Sequence, residues 1–322
     1  MRPLWKDILV AVWLGMIIPG IVLNAFVLKE KYRDRTQIPT EHQDSEAVLT
    51  VPVRDRDGTL HDMPFNGYLS GVLLAEMPAS FHPEALKAQS VAARTYTWKA
   101  FTNGGKHGDG SVCMDSACCQ GYLSENEYLS SGGTRGDFDK VCRAVEATSR
   151  MVLSYEGDLI EATYFSSSGG TTESAVAVWG TDYPYLQSVP SPEQNQEPVT
   201  VEFTPEEFQK LLGQSFHGDP AQWFDSITYT DGGGVETIEI CGKDYTGTQI
   251  RGLLGLRSTA FQIMTNGRKI SVITRGYGHR VGMSQYGANA MAENGKTWQQ
   301  ILQHYYPGTQ LHPIENIVET AF

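Results

Sequence analysis

A run of small and apolar residues at helical spacing, entered through a proline, constrains this chain more than any other stretch. From Pro83 onward, Ala85, Leu86, Ala88, Val91, Ala92 and Thr95 recur every three or four residues. Pro83 stands where a first-turn proline fits, because the amide hydrogen it lacks would have no partner there. The pattern predicts a helix with an apolar face set against a core. Lys87 and Arg94 lie seven residues apart and so share a face of that helix. That face is either a solvated charged side or a ledge along which a polyhydroxylated or anionic substrate lies.

Just upstream, Glu76 follows Val72, Leu73, Leu74 and Ala75 and precedes Met77 and Pro78. A glutamate with few polar neighbours tends to keep its proton, because burial disfavours the charged form. A general acid working near neutral pH needs that condition. Glu76 is therefore the candidate catalytic residue. Glu84 is a possible second carboxyl group of a hydrolase. It also lies in the first turn of the next helix, where an acid is expected for the dipole alone.

With 322 residues, 40% of them hydrophobic, the chain can bury one large core or two modest ones. Its net charge of −12 argues against a nucleic-acid surface, which is ordinarily basic. Ile8 to Leu28 is apolar over about twenty residues, the length that spans a bilayer's hydrocarbon core. Ala25-Phe26-Val27 does not form a small-residue cleavage site, so residues 1–30 are expected to be an uncleaved single transmembrane helix. Residues 31–47 read as a polar tether. Arg2, Lys6 and Asp7 precede the span, and Lys29, Lys31, Arg33 and Arg35 follow it. Counted alone, those charges keep the C-terminal flank in the cytoplasm, yet large domains translocate despite such flanks.

The rest of the chain reads as α+β. Alternation of Leu49, Val51 and Val53 predicts a strand, with Pro52 placing it at a sheet edge. Arg54 to Gly58 is a turn signal. A helix is expected over Asp137–Thr148, then a hairpin of Met151–Tyr155 and Ile160–Phe165. Prolines and polar residues from Ser188 to Pro198 mark a boundary. Beyond it, Thr204-Pro205-Glu206-Glu207 has the form of a capping box ahead of a helix through Leu212. Strands follow at 227–229, 235–240, 261–265 and 269–274. The expected organisation is a main lobe over 48–189 and 259–322, interrupted by a small inserted αβ lobe over 190–258.

Three of the five cysteines crowd together, with His107 followed by Cys113, Cys118 and Cys119. One imidazole and three thiolates match the ligand count of a structural zinc site. A disulfide plus a free thiol, or inert cysteines, are the alternatives. Cys142 and Cys241 are isolated and read as small apolar residues in packed elements. Gly276 to Ala288 is rich in glycine, which lets its backbone approach a ligand or another segment closely. There His279, Ser284, Gln285 and Tyr286 supply polar groups, either to a ligand or to a tight turn into a helix near Gln285. Ser166 to Gly170 and Trp179 to Tyr185 read as further cleft loops, and aromatic faces such as Trp179, Tyr185 and Tyr306 suit either sugar rings or a core.

Two blocks carry a family resemblance. One runs Glu76-Met77-Pro78, a short gap, then Phe81-His82-Pro83-Glu84-Ala85-Leu86-Lys87-Ala88-Gln89-Ser90-Val91-Ala92-Ala93-Arg94-Thr95; the other is Gly276 to Ala288, followed by Ile301 to Thr309. Together they resemble the stage II sporulation protein D family of membrane-anchored lytic transglycosylases. The resemblance covers nearly everything after the N-terminal segment. It departs at Cys118, where the family more often has histidine, and at Arg280, where relatives often carry glycine.

The resemblance implies a two-lobed extracytoplasmic domain with a glycan cleft. It implies cleavage of the bond between N-acetylmuramic acid and N-acetylglucosamine in peptidoglycan, leaving 1,6-anhydro ends, during engulfment in sporulation. Glu76 would be catalytic. Lys87, Arg94, Ser168, Gly169, Tyr185, His279, Gln285 and Tyr306 would bind substrate, and His107, Cys113, Cys118 and Cys119 would hold one structural zinc. Implied partners are denuded glycan strands, an amidase/endopeptidase like stage II sporulation protein P and a polytopic membrane protein like stage II sporulation protein M. The implied location is the engulfing septal membrane, with the C-terminal domain outside the cytoplasm. A hydrolytic muramidase and a non-catalytic glycan-binding scaffold are the alternatives, separable by their products.

Overall fold

A computed structural model describes residues 49–193 and 197–318. Strand β1 (Thr50–Arg54) turns through Asp55–Gly58 into β2 (Leu60–Pro64), with which it pairs antiparallel. The turn closes because Gly58 takes φ +90° and the Asp55 carboxylate accepts from the amides of Asp57 and Thr59. Helix α1 (Phe65–Glu76) follows without a break, and α2 (Pro83–Thr102) comes after a short turn. The His82 side chain caps α2 by accepting from the Glu84 amide at 3.2 Å, with Pro83 in the first turn.

Strand β3 (Val112–Cys113) lies parallel to β1 on the side opposite β2, so β1 is central, not an edge. Pro52 is tolerated because β3 begins only beside Val53. Next come α3 (Glu125–Ser130), α4 (Arg135–Glu146), β4 (Met151–Tyr155) and β5 (Asp158–Leu159). The expected second hairpin arm is shorter than its apolar run. Only Asp158 and Leu159 pair with β4, while β6 (Tyr164–Phe165) leaves to pair elsewhere.

Both first helices are buried almost all round. In α1, Tyr68, Leu69, Val72 and Leu73 are inaccessible, and in α2 so are Ala85, Leu86, Ala88, Val91 and Ala92. Helix α2 lies at the centre of the molecule and packs on α1, α4 and β4. It divides two apolar clusters, one built with β1 and α1, the other with residues of 281–306. The face of α2 that carries Arg94 is therefore not a solvated charged side. Arg94 follows from that position. It is fully buried and donates to the carbonyls of Val145 at 3.0 Å and Thr148 at 2.6 Å. Those carbonyls lie at and just past the end of α4, where helix acceptors lack partners and positive charge is favoured.

After α5 (Ala175–Trp179), β7 (Val199–Phe203) leads into α6 (Pro205–Leu212), which Thr204 and Glu207 close with the expected capping box. A three-stranded meander of β8 (Phe224–Tyr229), β9 (Val235–Ile240) and β10 (Lys243–Thr246) precedes α7 (Gly247–Leu254). Then β11 (Phe261–Thr265) pairs with β12 (Ile270–Thr274), which pairs in turn with β7. A third apolar cluster joins Phe208, Ile238 and Ile250 to Phe261, Ile270 and Val272. This core extends past the expected limit at residue 258, because β12 needs β7 as its neighbour. Cys241 sits exposed in the β9–β10 turn at φ +51°, not in a packed element.

The chain closes with β13 (Met283–Ser284), α8 (Gln285–Glu293), α9 (Trp298–Tyr305) and β14 (Gln310–Pro313), which pairs with β4. The fold is α+β with small sheets, and the described residues from Leu49 onward form one compact unit. Among the described residues no helix is long and apolar enough to cross a membrane. The Ile8–Leu28 run and the 31–47 tether lie outside the described residues.

Candidate active site

Glu76 is the last residue of α1. Met77 breaks the helix in an extended conformation (φ −133°, ψ 136°), as the residue before a proline tends to do. The carboxyl group is half-buried on the wall of a cleft of about 1200 Å³, larger than the ~300–1,000 Å³ of a small-molecule pocket. Its Oε1 accepts from the Gly121 amide at 2.6 Å. Burial pushes its pKa above the ordinary 4.5, and the Gly121 bond only partly offsets this. The negative end of α1 acts in the same direction, since a helix C-terminus disfavours a carboxylate. Gly121 permits the contact, because a Cβ there would stand 3.0 Å from that oxygen and 3.3 Å from the Ala75 methyl.

Beside the acid, the Nε2 of His107 lies 3.6 Å from the Cys119 sulfur and 3.8 Å from that of Cys118; the two sulfurs are 3.9 Å apart. With Cys113, all four ligand atoms fall within 4.8 Å of one another. The cysteines are free thiols, which sets aside the disulfide alternative. A tetrahedron with metal–sulfur bonds of ~2.3 Å has edges of about 3.8 Å, so the donor set fits a thiophilic cation. The loop is also tied locally. Asp115 accepts from the Ala117 amide, and Lys106 donates to the Cys118 carbonyl.

The opposite wall is assembled by a parallel pairing of β6 with β13, which sets residues 164–168 against the glycine-rich block. The glycines serve that contact, not a ligand. At Gly276 (φ +74°) a Cβ would stand 2.7 Å from the Ser167 carbonyl, and at Gly282 (φ +82°) 2.1 Å from that of Thr163. His279 lines the cleft with its Nδ1 accepting from the Val281 amide at 3.1 Å. The ring proton is therefore on Nε2, directed at the Tyr164 backbone carbonyl. Burial, with the nearby Arg251 charge, lowers its pKa from 6.5 to about 4.

A stability prediction follows. Above pH 6.5 the imidazole is neutral in both folded and unfolded chains, and the stabilisation is complete. As pH falls from 6.5 to about 4 the unfolded chain takes up the proton first. Through this residue stability then drops by about 3 kcal/mol. Urea unfolding at neutral pH and near pH 4 should show that drop in the wild type and a smaller one in His279→Asn.

Comparison with known proteins fits this geometry. The family model described as Stage II sporulation protein (SpoIID) matches residues 54–155. Stage II sporulation protein D of Bacillus subtilis is 42% identical over 272 residues, covering 82% of this chain and 79% of its own. That of Bacillus amyloliquefaciens is 39% identical over 282 residues, 85% of this chain and 81% of its own. An amidase enhancer of Bacillus subtilis is 30% identical over 302 residues, 76% of this chain but 40% of its own. The chain belongs to the stage II sporulation protein D family. It is thus a member of a sporulation family, and the residues above are how this member builds its cleft.

Of the residues that the sequence assigned to substrate, the cleft brings together His279 and Gln285 with Glu76 and with Cys113, Cys118 and Cys119. The others stand elsewhere. Arg94 is the buried staple of α4, and Lys87 pairs with Glu84 at 2.7 Å outside the cleft. Glu84 also accepts from the Trp298 amide at 2.9 Å and does not line the cleft that holds Glu76. Tyr306 is inaccessible, its hydroxyl donating to the Thr163 carbonyl at 2.7 Å. Tyr185 is buried, its hydroxyl accepting from the Glu161 amide at 3.1 Å. Ser168 is buried, while Gly169 is exposed and its amide donates to Glu193 at 3.1 Å.

Glu193 was missed, because an acid in a proline-containing boundary segment carries no signal. Its carboxylate accepts from the hydroxyls of Ser167 at 2.6 Å and Ser284 at 2.5 Å and from the Ser168 amide at 2.6 Å. Burial would raise its pKa, but those donors outweigh it and hold the group below the usual carboxylate range. Arg280 and Glu173 were missed as a pair. Both are buried, 3.0 Å apart, and Arg280 also donates to the carbonyls of Ser168 at 2.7 Å and Thr171 at 2.9 Å. Its backbone keeps φ +68°, a conformation natural to glycine.

Proposed function

We propose that this protein is a peptidoglycan lytic transglycosylase acting on denuded glycan strands during engulfment. The observation that carries the reading is one half-buried carboxyl group, Glu76, whose pKa burial raises, in a cleft large enough for a polymer segment. Among the described residues the other carboxylates lining that cleft are Asp55 and Asp115. Each accepts from amides of its own loop. Glycosidases that hydrolyse with water use a facing pair of carboxyl groups about 5–9.5 Å apart. An acid of raised pKa beside carboxylates committed to their own loops suits a different route.

Protonated Glu76 donates to the glycosidic oxygen as the bond from the muramoyl C1 to that oxygen breaks, and the N-acetylglucosamine leaves as an alcohol. The resulting carboxylate takes the proton of the muramoyl C6 hydroxyl, whose oxygen bonds to C1. The 1,6-anhydro ring closes, Glu76 regains its proton, and water takes no part. Mass spectrometry of digested strands tests the reading. Anhydro ends support it, reducing ends would identify a muramidase, and unchanged strands would identify a glycan-binding scaffold.

His107, Cys113, Cys118 and Cys119 would hold one zinc ion. With four protein ligands it serves structure, fastening the loop that delivers Gly121 to Glu76. Elemental analysis of protein purified without a metal-affinity tag should give about one zinc per chain. Only a trace, or another metal, contradicts the assignment.

The catalytic unit would face away from the cytoplasm, anchored by Ile8 to Leu28, beside an amidase/endopeptidase that strips stem peptides and a polytopic membrane protein. The substrate exists only there, and that argument outweighs the basic flank from Lys29 to Arg35. A cysteine placed at exposed Asp57, with other thiols masked, should react with an impermeant reagent on intact protoplasts. Reaction only after lysis would put the domain inside.

A further inference from the structure

We propose that the Tyr164 hydroxyl is a substrate contact of fixed polarity, an acceptor only, and that buried Gln120 and Thr97 are the positioning residues that fix it. The inference rests on the cleft being a glycan site.

Its starting point is a helix carbonyl. Thr97 lies within α2, and its hydroxyl donates to the Ala93 carbonyl at 2.9 Å. A carbonyl oxygen can only accept, so the threonine hydrogen is committed there and its oxygen is left to accept. Gln120, 2% exposed, answers with an amide N–H at 2.8 Å. The direction of the glutamine amide is thereby set, and its oxygen accepts from the Tyr164 hydroxyl at 2.9 Å. A phenol has one hydrogen to give. That of Tyr164 points back into the protein, and what the ring can offer the cleft is lone pairs.

The acceptor shares its cleft with the acid. Tyr164 and Glu76 both line the cleft and interact electrostatically. Gly121, the residue after Gln120, gives its amide to Glu76 Oε1, so a proton on that carboxyl group belongs on Oε2. One short segment therefore orients both groups. A fixed acceptor is complemented by a donor, such as a sugar hydroxyl or the N–H of an acetamido group. A carboxylate in the same place would meet lone pairs and be rejected. Tyr164 thus selects for an uncharged, donor-bearing part of the sugar at the reacting bond.

Thr97 tests this because it does not line the cleft. In a Glu76→Gln background, the probe is a purified denuded glycan oligosaccharide, with affinity measured by calorimetry. Thr97→Val keeps the side-chain shape but frees the amide to turn, and should weaken binding by roughly 5- to 10-fold. Thr97→Ser, which keeps the hydroxyl, should bind as the parent does. Tyr164→Phe should lose a similar factor, and adding Thr97→Val to it should change little further, because both act through one contact. A purely structural defect would show neither the serine rescue nor that non-additivity. Normal binding by Tyr164→Phe overturns the contact, and full additivity or a normal Thr97→Val overturns the positioning. Failure of the Glu76→Gln parent itself to bind would instead overturn the glycan reading of the cleft.

Discussion

Glutamine in place of Glu76 lowers turnover on purified glycan strands by about 10²–10⁴-fold, the contribution of one general acid–base group. The fold and the glycan affinity persist, because a glutamine oxygen can still accept the Gly121 amide that Oε1 accepts at 2.6 Å. A variant retaining more than roughly a tenth of wild-type turnover would remove Glu76 from the chemistry, since that is far less than the loss of such a group entails. The wild-type pH profile carries the same signature. The donor must be protonated, so kcat/KM is highest below its pKa and falls as pH rises through a midpoint above 4.5. Burial causes the displacement, so a variant that opens the cleft around Glu76 should move the midpoint back down.

The second large effect lies behind the cleft. Arg280→Met leaves the Glu173 carboxylate buried without its cation, and should destabilise the fold by about 3–5 kcal/mol. In a unit of this size that is roughly 6–20 °C in Tm. Glu173 keeps the Thr230 hydroxyl and the Gly234 amide as donors, but neither brings charge. Removing both partners with Glu173→Leu/Arg280→Met should recover most of the loss, because an apolar pair no longer strands a buried ion. Equal destabilisation by the single and double variants, in urea titration, would show that the ion pair does not hold these loops.

The sequence made local structure legible wherever a short pattern carries its own cause. Pro83 and the small-residue spacing fix α2, Thr204 and Glu207 close a capping box, and the apolar flank of Glu76 matches its half-buried place on the cleft wall. Clustered ligands were legible as well, since His107 and the three cysteines sit within one loop. What spacing could not convey was what each helix face meets. Arg94 and Lys87 share a heptad position, but one is enclosed by carbonyls of residues 145 and 148 and the other is ion-paired outside the cleft. The acceptors that claim Arg94 are backbone atoms about fifty residues on, and backbone acceptors have no signature in sequence.

The same holds for Tyr164, Glu173 and Glu193. Each is an ordinary residue in a loop or short strand, given its role by groups distant in sequence, Gln120 for Tyr164, Arg280 for Glu173 and Ser284 for Glu193. Glycines mislead in a related way. Those of 276–282 announced a close approach, and the approach is to neighbouring backbone at Thr163 and Ser167.

Digestion of purified denuded glycan in water enriched in heavy oxygen tests the central claim, that one carboxyl group closes the muramoyl ring on itself. The C6 hydroxyl supplies the oxygen that caps C1, so the account predicts anhydro ends with no heavy oxygen in the wild type and no products from Glu76→Gln. Reducing ends carrying one heavy oxygen each would show that water attacks C1, and would contradict it.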